Sequence, residues 1–350
     1  MIRPRSATKP YLGIAAIEPV DLKDEQIRIA LDRTRGALTS PRLGKILKVR
    51  TAIQQILCDE LVAAGYVHPP VYMLSGCTDP LNHQTFPARL NYYGEEVSVT
   101  QSLILQKILM VMLSPVDRVF WASPNIRMEL GVAAKDYKYT SEFMQVDFEK
   151  KDAGYREMME HVSAMTARLF LRLTASCGDI IDELRGEPLP AIEGPLQVFD
   201  AAAVKATEGL SDDDAVERWA SGRTDGRPFL VTNLKREAYD CWDPEQERFL
   251  NYDLVCPPAG RNVHPVECLS GAERTRSLAD LRRRMLDLDY PMAYFEPFFE
   301  LYESLDTTGG AIRCAGGGFG VERLTFALLG LGDIHEVYPL PRPAEGRIGI

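Results

Sequence analysis

The amino-acid sequence predicts a mixed α and β fold, and three patterns carry the prediction. Two stretches, 126–130 and 143–149, alternate apolar and charged residues with the period of a strand. Elsewhere apolar residues recur at helical spacing, first at Leu43, Ile46, Leu47, Ile53, Leu57 and Leu61. Finally, Gly316-Gly317-Gly318-Phe319-Gly320 leads into an apolar helix marked by Val321, Leu324, Leu328 and Leu331. Glycine admits unusual backbone conformations and close approach by another group, so the run fits a strand-to-helix corner beside a ligand. Arg323 sits on that helix, where a fixed guanidinium could grip a phosphate in fork geometry. A helix N-terminus with a surface salt bridge fits the same residues.

At 350 residues the chain can bury a sizeable core as one large domain or two ordinary ones. Its 40 basic and 50 acidic residues give a formal charge of -10, which argues against a broad polyanion-binding surface but leaves room for a local basic site. The seven cysteines are odd in number and scattered, which argues against a disulfide framework or zinc site and for a reduced, cytoplasmic setting. No stretch reads as a signal peptide or membrane span.

Taken in order, residues 1–40 hold Pro4, Pro10 and Pro19 and then a charged helical pattern over 22–35, which reads as an N-terminal arm or cap. The amphipathic helix from Leu43 stops at Gly65. Residues 66–74 are extended but contain Pro69 and Pro70, which suits a sheet edge or a subunit contact. Residues 75–86, with Gly76, Asp79, Pro80 and Asn82, form a loop. A hairpin turning at Gly94 is expected over 92–100, then a buried helix over 103–113 with Lys107 inside it. Paired together, the two alternating stretches would present Arg127, Glu129, Gln145, Asp147 and Glu149 on one charged face, toward water or toward a ligand. The loop 131–141, with Lys135, Lys138 and Tyr139, would extend over that face. Another helix is expected over 155–174. Residues 178–227, rich in Pro, Gly and acidic residues including Asp212-Asp213-Asp214, read as an insertion. Strands follow over 229–233, 249–256 and 263–269. Leu278, Leu281, Met285 and Leu288 mark a helix whose outer face carries Arg282, Arg283 and Arg284, either solvated or in contact with nucleic acid.

Together these elements resemble the catalytic core of class II aminoacyl-tRNA synthetases, in the aspartyl and asparaginyl branch. The helix from Leu43 with Gly65-Tyr66 and Pro69-Pro70 resembles the first class motif, the dimer interface of that family. Residues 125–149 resemble the second, with Arg127-Met128-Glu129 in its Arg-x-Glu position, and Gly318-Phe319-Gly320-Val321-Glu322-Arg323 resembles the third. The resemblance implies an α+β fold with an antiparallel sheet flanked by helices, in a catalytic domain over 41–350. It also implies bent ATP with Mg2+. Arg127 would hold the α-phosphate and Glu129 the adenine amino group. Phe143 and Arg323 would face the two sides of adenine, Arg323 also meeting the γ-phosphate, and Glu267 and Ser270 would hold magnesium. Arg274 and Lys107 match the cations around the side-chain carboxylate of aspartate. Asp147 and, more weakly, Asp79 match carboxylates near the α-amino group, and Gln145 belongs to the same pocket.

Full-length members carry a nucleic-acid-reading barrel before this core, and residues 1–40 hold no equivalent. Ile104 stands where the family's amino-acid motif has glutamine, and Lys138-Tyr139 where an Arg-His pair is usual. The strings Thr78-Asp79-Pro80-Leu81, Ser123-Pro124-Asn125-Ile126-Arg127 and Asn251-Tyr252-Asp253-Leu254 are similar to the stand-alone archaeal-type asparagine synthetase related to asparaginyl-tRNA synthetase. The resemblance therefore implies a cytoplasmic, homodimeric aspartate ligase without tRNA as its expected acceptor. Aspartyl adenylate would be attacked by ammonia or another amine to give asparagine or a related amide, AMP and pyrophosphate. Transfer of an activated amino acid to a biosynthetic amine, a carrier protein or a tRNA stays open, as does a non-catalytic sensor of amino acid or nucleotide.

Overall fold

A computed structural model describes residues 24–79, 85–86, 88–130, 137–235 and 238–342. The two alternating stretches belong to β4 (Arg118–Ile126) and β5 (Glu142–Lys151), which pair antiparallel with Asn125 opposite Phe143 and Phe120 opposite Phe148. Period-two alternation sends Val146 and Phe148 into the main core and turns Gln145 and Asp147 toward a cavity on the opposite face. The expected strand over 126–130 is corrected: β4 ends at Ile126. Arg127 N still donates to Ser141 O, but Met128 and Glu129 then pair with 85–86, through Phe86 N to Met128 O and a Thr85–Glu129 bridge.

Further strands complete the sheet: β6 (Gln197–Asp200), β7 (Phe229–Thr232), β10 (Asn251–Cys256), β11 (Val266–Glu273) and β12 (Cys314–Gly320). Among the described residues the order is β4-β5-β12-β11-β10-β7-β6, antiparallel throughout except for β6 beside β7. β12 lies inside the sheet between β5 and β11, and its glycines are there for space rather than conformation. None of Gly316, Gly317 and Gly318 has a positive φ. A Cβ on Gly316 would collide with the Phe148 carbonyl, and one on Gly318 with the Gln145 amide, with Asp147 Oδ1 at 3.0 Å. The strand runs directly into α9 (Val321–Leu328), whose Val321, Leu324 and Leu328 are buried as their spacing predicts.

Two other helices cover the apolar face of the sheet. α2 (Leu43–Ala63) buries Ile46, Val49, Ile53, Ile56, Leu57 and Leu61, and Gly65, at φ +84°, follows it as the stop. α4 (Tyr155–Arg185) adds Val162, Leu169 and Leu173 to the same cluster. Each such buried side chain contributes roughly 1.5–3 kcal/mol. The chain after α2 runs beside β4: Val67 N donates to Arg118 O, Phe120 N donates to Val67 O, and Trp121 Nε1 reaches Pro70 O at 3.0 Å. The proline pair thus lies at the sheet edge, as expected.

A second core gathers α3 (Ile104–Leu113), α7 (Leu278–Asp287) and α8 (Met292–Leu305). The expected hairpin forms from β2 (Arg89–Tyr92) and β3 (Glu95–Val99), joined by β1 (Leu74–Ser75). Tyr93 and Gly94, both at positive φ, make its turn. β8 (Trp242–Asp243) and β9 (Arg248–Phe249) form a short ribbon. α1 (Glu25–Leu38) lies where the charged pattern of the N-terminal arm placed a helix; Pro4, Pro10 and Pro19 lie outside the described residues, as do Pro80, Asn82 and Lys135.

Other expectations change. The helix expected over 155–174 continues to Arg185, because Gly178 is tolerated inside it and the stop is Gly186 at φ +88°. The stretch read as an insertion is therefore helical at its start, and then builds β6, α5 (Ala201–Glu208) and α6 (Asp213–Ser221) onto the sheet edge. The strand expected over 263–269 is β11, from Val266 to Glu273. Arg282 and Arg283 are paired on the surface with Glu296 and Asp280, whereas Arg284 turns inward to the Asp240 carbonyl and Thr275. Each of the seven cysteines is a free thiol. Among the described residues no helix is long and apolar enough to cross a membrane.

Candidate active site

A cavity of about 410 Å³ opens on the polar face of the sheet. Every site residue expected from the sequence lines it: Asp79, Lys107, Arg127, Glu129, Phe143, Gln145, Asp147, Glu267, Ser270, Arg274 and Arg323. They come from distant parts of the chain, so the fold brings them together.

One end is a buried cluster of four charges. Lys107 Nζ lies 2.5 Å from Asp147 Oδ1 and 3.3 Å from Glu149 Oε2. Arg274 grips Glu149 in fork geometry, Nε to Oε1 at 2.9 Å and Nη2 to Oε2 at 2.8 Å. Two cations thus balance two carboxylates. Burial lifts the Asp147 carboxyl above its ordinary range despite Lys107 beside it. Burial also pushes Glu149 upward, but Arg274 and then Lys107 overcome it and hold that carboxyl below its ordinary range. For Arg274 burial works against the charge and Glu149 more than restores it, so its pKa is raised. The Arg274 fork, expected to meet a substrate carboxylate, is thus largely occupied by Glu149.

Toward the other end, Arg127 Nε donates to Gln101 O at 3.0 Å, Nη2 lies 3.4 Å from Asp79 Oδ2, and the guanidinium sits 5.4 Å from the Phe143 ring centre. Across the cavity, Arg323 Nε donates to Lys138 O at 3.2 Å, and its guanidinium lies over the Tyr139 ring and 3.5 Å from Glu267. Burial works against the Arg323 charge, yet Glu267 leads the neighbours that raise its pKa. Glu267 and Ser270 share this wall because of a bulge in β11. Leu254 faces Leu269 but Val255 faces Glu267, so Cys268 is an extra residue that reverses the alternation. Among the described residues no group of three His, Cys, Asp or Glu forms a metal cage. One carboxylate and one hydroxyl instead fit a Mg2+ ion that completes its shell with phosphate oxygens and water.

Several residues of the site were not singled out from the sequence. Glu149 was visible only as one position on a charged strand face. Glu322, next to Arg323, is buried. It accepts hydrogen bonds from Arg50 Nε and Nη2 at 3.1 and 2.8 Å and from Met144 N at 2.8 Å, which fixes α9 against α2 and β5. Tyr239, whose ring lies 5.5 Å from the Arg274 guanidinium, comes from a segment with no motif. Asn125 Nδ2 holds Gln145 Oε1 at 2.5 Å.

This fold and this cavity define a class II synthetase catalytic core. The family described as tRNA synthetases class II (D, K and N) matches residues 27–344, and the chain belongs to it. Among its relatives are the asparagine–tRNA ligase of Thermoplasma acidophilum, 24% identical over 91% of this chain and 74% of that protein, and the aspartate–tRNA(Asp/Asn) ligase of Haloferax volcanii, 23% identical over 94% and 75%. The crystal structure of asparaginyl-tRNA synthetase from Pyrococcus horikoshii complexed with asparaginyl-adenylate superposes with a TM-score of 0.77 at 19% identity, covering 94% of this chain and 75% of that one. That likeness is one of fold.

Proposed function

We propose that the protein is an AMP-forming ligase that activates a carboxylate of aspartate or a close analogue with ATP and passes the acyl group to ammonia or another amine. One observation carries this reading: Arg127 and Arg323, from different elements, line the same cavity as the Lys107–Asp147–Glu149–Arg274 cluster. Attack of a carboxylate oxygen on the α-phosphorus brings two anions together and expels pyrophosphate, so fixed cations along that path lower the barrier. Arg127 serves the α-phosphate and Arg323 the outer phosphates and one face of the base, while Phe143 takes the other face and Glu129 the adenine amino group. Mg2+ held at Glu267 and Ser270 supplies further positive charge to the phosphates.

The amino acid binds toward Gln145 and Asp147, with Asp79 a further carboxylate open to a substrate nitrogen. Its side-chain carboxylate meets Lys107 and the Nη1 of Arg274 that Glu149 leaves over. The cytoplasmic homodimer assigned to this reading has a surface to use, since Val71, Tyr72 and Leu74 on the edge segment are 38%, 45% and 47% exposed. The names of the relatives favour a second reading, with a tRNA hydroxyl as the acceptor. The test is incubation with ATP, Mg2+ and aspartate, alone, with a panel of amines, or with tRNA, followed by mass analysis. AMP and an amide formed without tRNA support the first reading, and aminoacyl-tRNA as the sole product replaces it with the second. Arg323→Ala should abolish aspartate-dependent AMP formation; unchanged turnover would remove the assignment.

A further inference from the structure

Asp79 is 5% exposed and lines the cavity beside Arg127. Its two oxygens are treated unequally. Oδ2 accepts from Ser102 Oγ at 2.6 Å and lies 3.4 Å from Arg127 Nη2. Oδ1 is also buried and, among the described residues, has no hydrogen-bond donor. An unpaired buried carboxylate oxygen is costly, so an oxygen that opens on a cavity in this state calls for a donor from outside the described residues.

Two nitrogens enter the proposed reaction, the α-ammonium of the amino acid and the incoming amine. Of the carboxylates that line the cavity, Glu129 and Glu267 are assigned to adenine and Mg2+, Glu322 is held by Arg50 and Met144 N, and Asp240 accepts from Asn251 Nδ2, which leaves Asp147 and Asp79 for the two nitrogens. Asp147 lies at the amino-acid end with Lys107, and Asp79 lies beside the arginine assigned to the α-phosphate. The bond that must break joins the acyl carbon to an oxygen of that phosphate. Resting on the adenylation reading above, we propose that Asp79 Oδ1 is the docking point for the nucleophile, and that the nucleophile arrives as a protonated amine, ammonium or a primary alkylammonium.

The charge decides between an amine and a hydroxyl. A hydroxyl acceptor would satisfy the hydrogen bond at Oδ1, but a protonated amine also matches the buried negative charge, to which Arg127 contributes only at 3.4 Å on the other oxygen. The ammonium passes one proton to Oδ1, which uncovers its lone pair. Nitrogen bonds to the acyl carbon, the bond from that carbon to the phosphate oxygen breaks, and the electron pair leaves with AMP. A second N–H proton goes to the departing phosphate or to water as the amide forms.

The experiment compares two half-reactions in Asp79→Asn. ATP–pyrophosphate exchange with aspartate reads adenylation, and single-turnover decay of enzyme-bound adenylate reads aminolysis, with ammonium chloride or with hydroxylamine, which is already largely unprotonated at neutral pH. Asp79→Asn should lose at least about tenfold more in ammonium aminolysis than in exchange, and hydroxylamine should recover most of the difference, as a base-and-docking group requires. Asp79→Glu, which displaces the charge without removing it, should fall between; thermal melting of both variants shows that they are folded. Equal losses in exchange and aminolysis, driven by the KM for aspartate, would mean that Asp79 holds the α-ammonium and would overturn the proposal. Equal losses with ammonium and hydroxylamine would overturn it as well. A parent enzyme without aspartate-dependent exchange would remove the adenylation reading, and this inference with it.

Discussion

Glu149 has no exposed surface and is still the firmer anion of the two acids in its cluster. Replacing one partner of a buried ion pair leaves the other uncompensated, which costs more than the pair itself contributes. Glu149→Gln should therefore destabilise the fold by about 3–5 kcal/mol in urea unfolding. A milder effect would mean that Asp147 takes over the charge. His161 gives a pH prediction of known sign. Its ring stacks on Tyr66 and meets Phe148 edge-on, and burial first, then Arg168, Lys150 and Arg118, lowers its pKa from 6.5 to about 4. Between those values the unfolded chain takes up a proton that the folded chain refuses, so stability falls as pH drops from 6.5 toward 4 and is fully present above 6.5. The whole shift corresponds to about 3 kcal/mol, and discounting for the partly open ring leaves about 2 kcal/mol. Unfolding midpoints of the parent and His161→Phe, compared at pH 7 and pH 4.5, should show that this part of the acid sensitivity disappears in the variant.

Among the elements, β12 separates two reasons for having glycine. At Gly316 a Cβ would meet the fixed carbonyl of Phe148 on the neighbouring strand, so Gly316→Ala should cost at least about 2 kcal/mol or prevent folding. At Gly318 the nearest obstacle is the movable end of Gln145, with Asp147 Oδ1 behind it at 3.0 Å. Gly318→Ala should fold, with a melting temperature lowered by a few degrees, yet lose roughly tenfold or more in adenylation because two residues assigned to substrate are displaced. If the order of the two effects on stability were reversed, the account of the strand would fail. α6 shows what the sequence hid. Its acidic N-terminus read as part of a polar insertion, but Asp214 lies 3.9 Å from Lys138 Nζ, on the loop under Arg323. Nothing in Asp212-Asp213-Asp214 announces a contact with a lysine more than seventy residues earlier. By contrast, the helices from Leu43 and over 155–174 were legible because a 3.6-residue period repeats often enough to stand out. The last turns of α4 were missed because the stretch from Gly178 reads, by its Pro, Gly and acidic composition, as an insertion, when the αL stop is at Gly186.

For the molecule as a whole, the sequence told which side chains would share a cavity but not how their charges would pair. Alternation along β5 is a local signal, whereas the Arg274–Glu149 fork joins positions 125 residues apart and the Arg50–Glu322 pair joins positions 272 apart. The second pair supports a prediction about the assembled core. Arg50 belongs to α2, outside the cavity, and its partner Glu322 also accepts from the backbone of Met144 in β5. A single carboxylate therefore sets the helix carrying Arg323 against the strand carrying Phe143. Arg50→Met keeps most of the apolar stem and removes the charge, leaving Glu322 buried with one backbone donor. With Arg50 itself 23% exposed in its side chain, the loss should be about 2–3 kcal/mol. In the proposed reaction the KM for ATP should rise several-fold more than the KM for aspartate, because the Lys107–Asp147–Glu149–Arg274 cluster rests on β5, β11 and α3 rather than on α2. Replacing both partners, as Arg50→Met with Glu322→Gln, removes the stranded charge and should recover part of the stability without recovering ATP affinity. A parallel rise in both KM values would mean that the core transmits the loss evenly, and that the two ends of the cavity are not held by separate contacts.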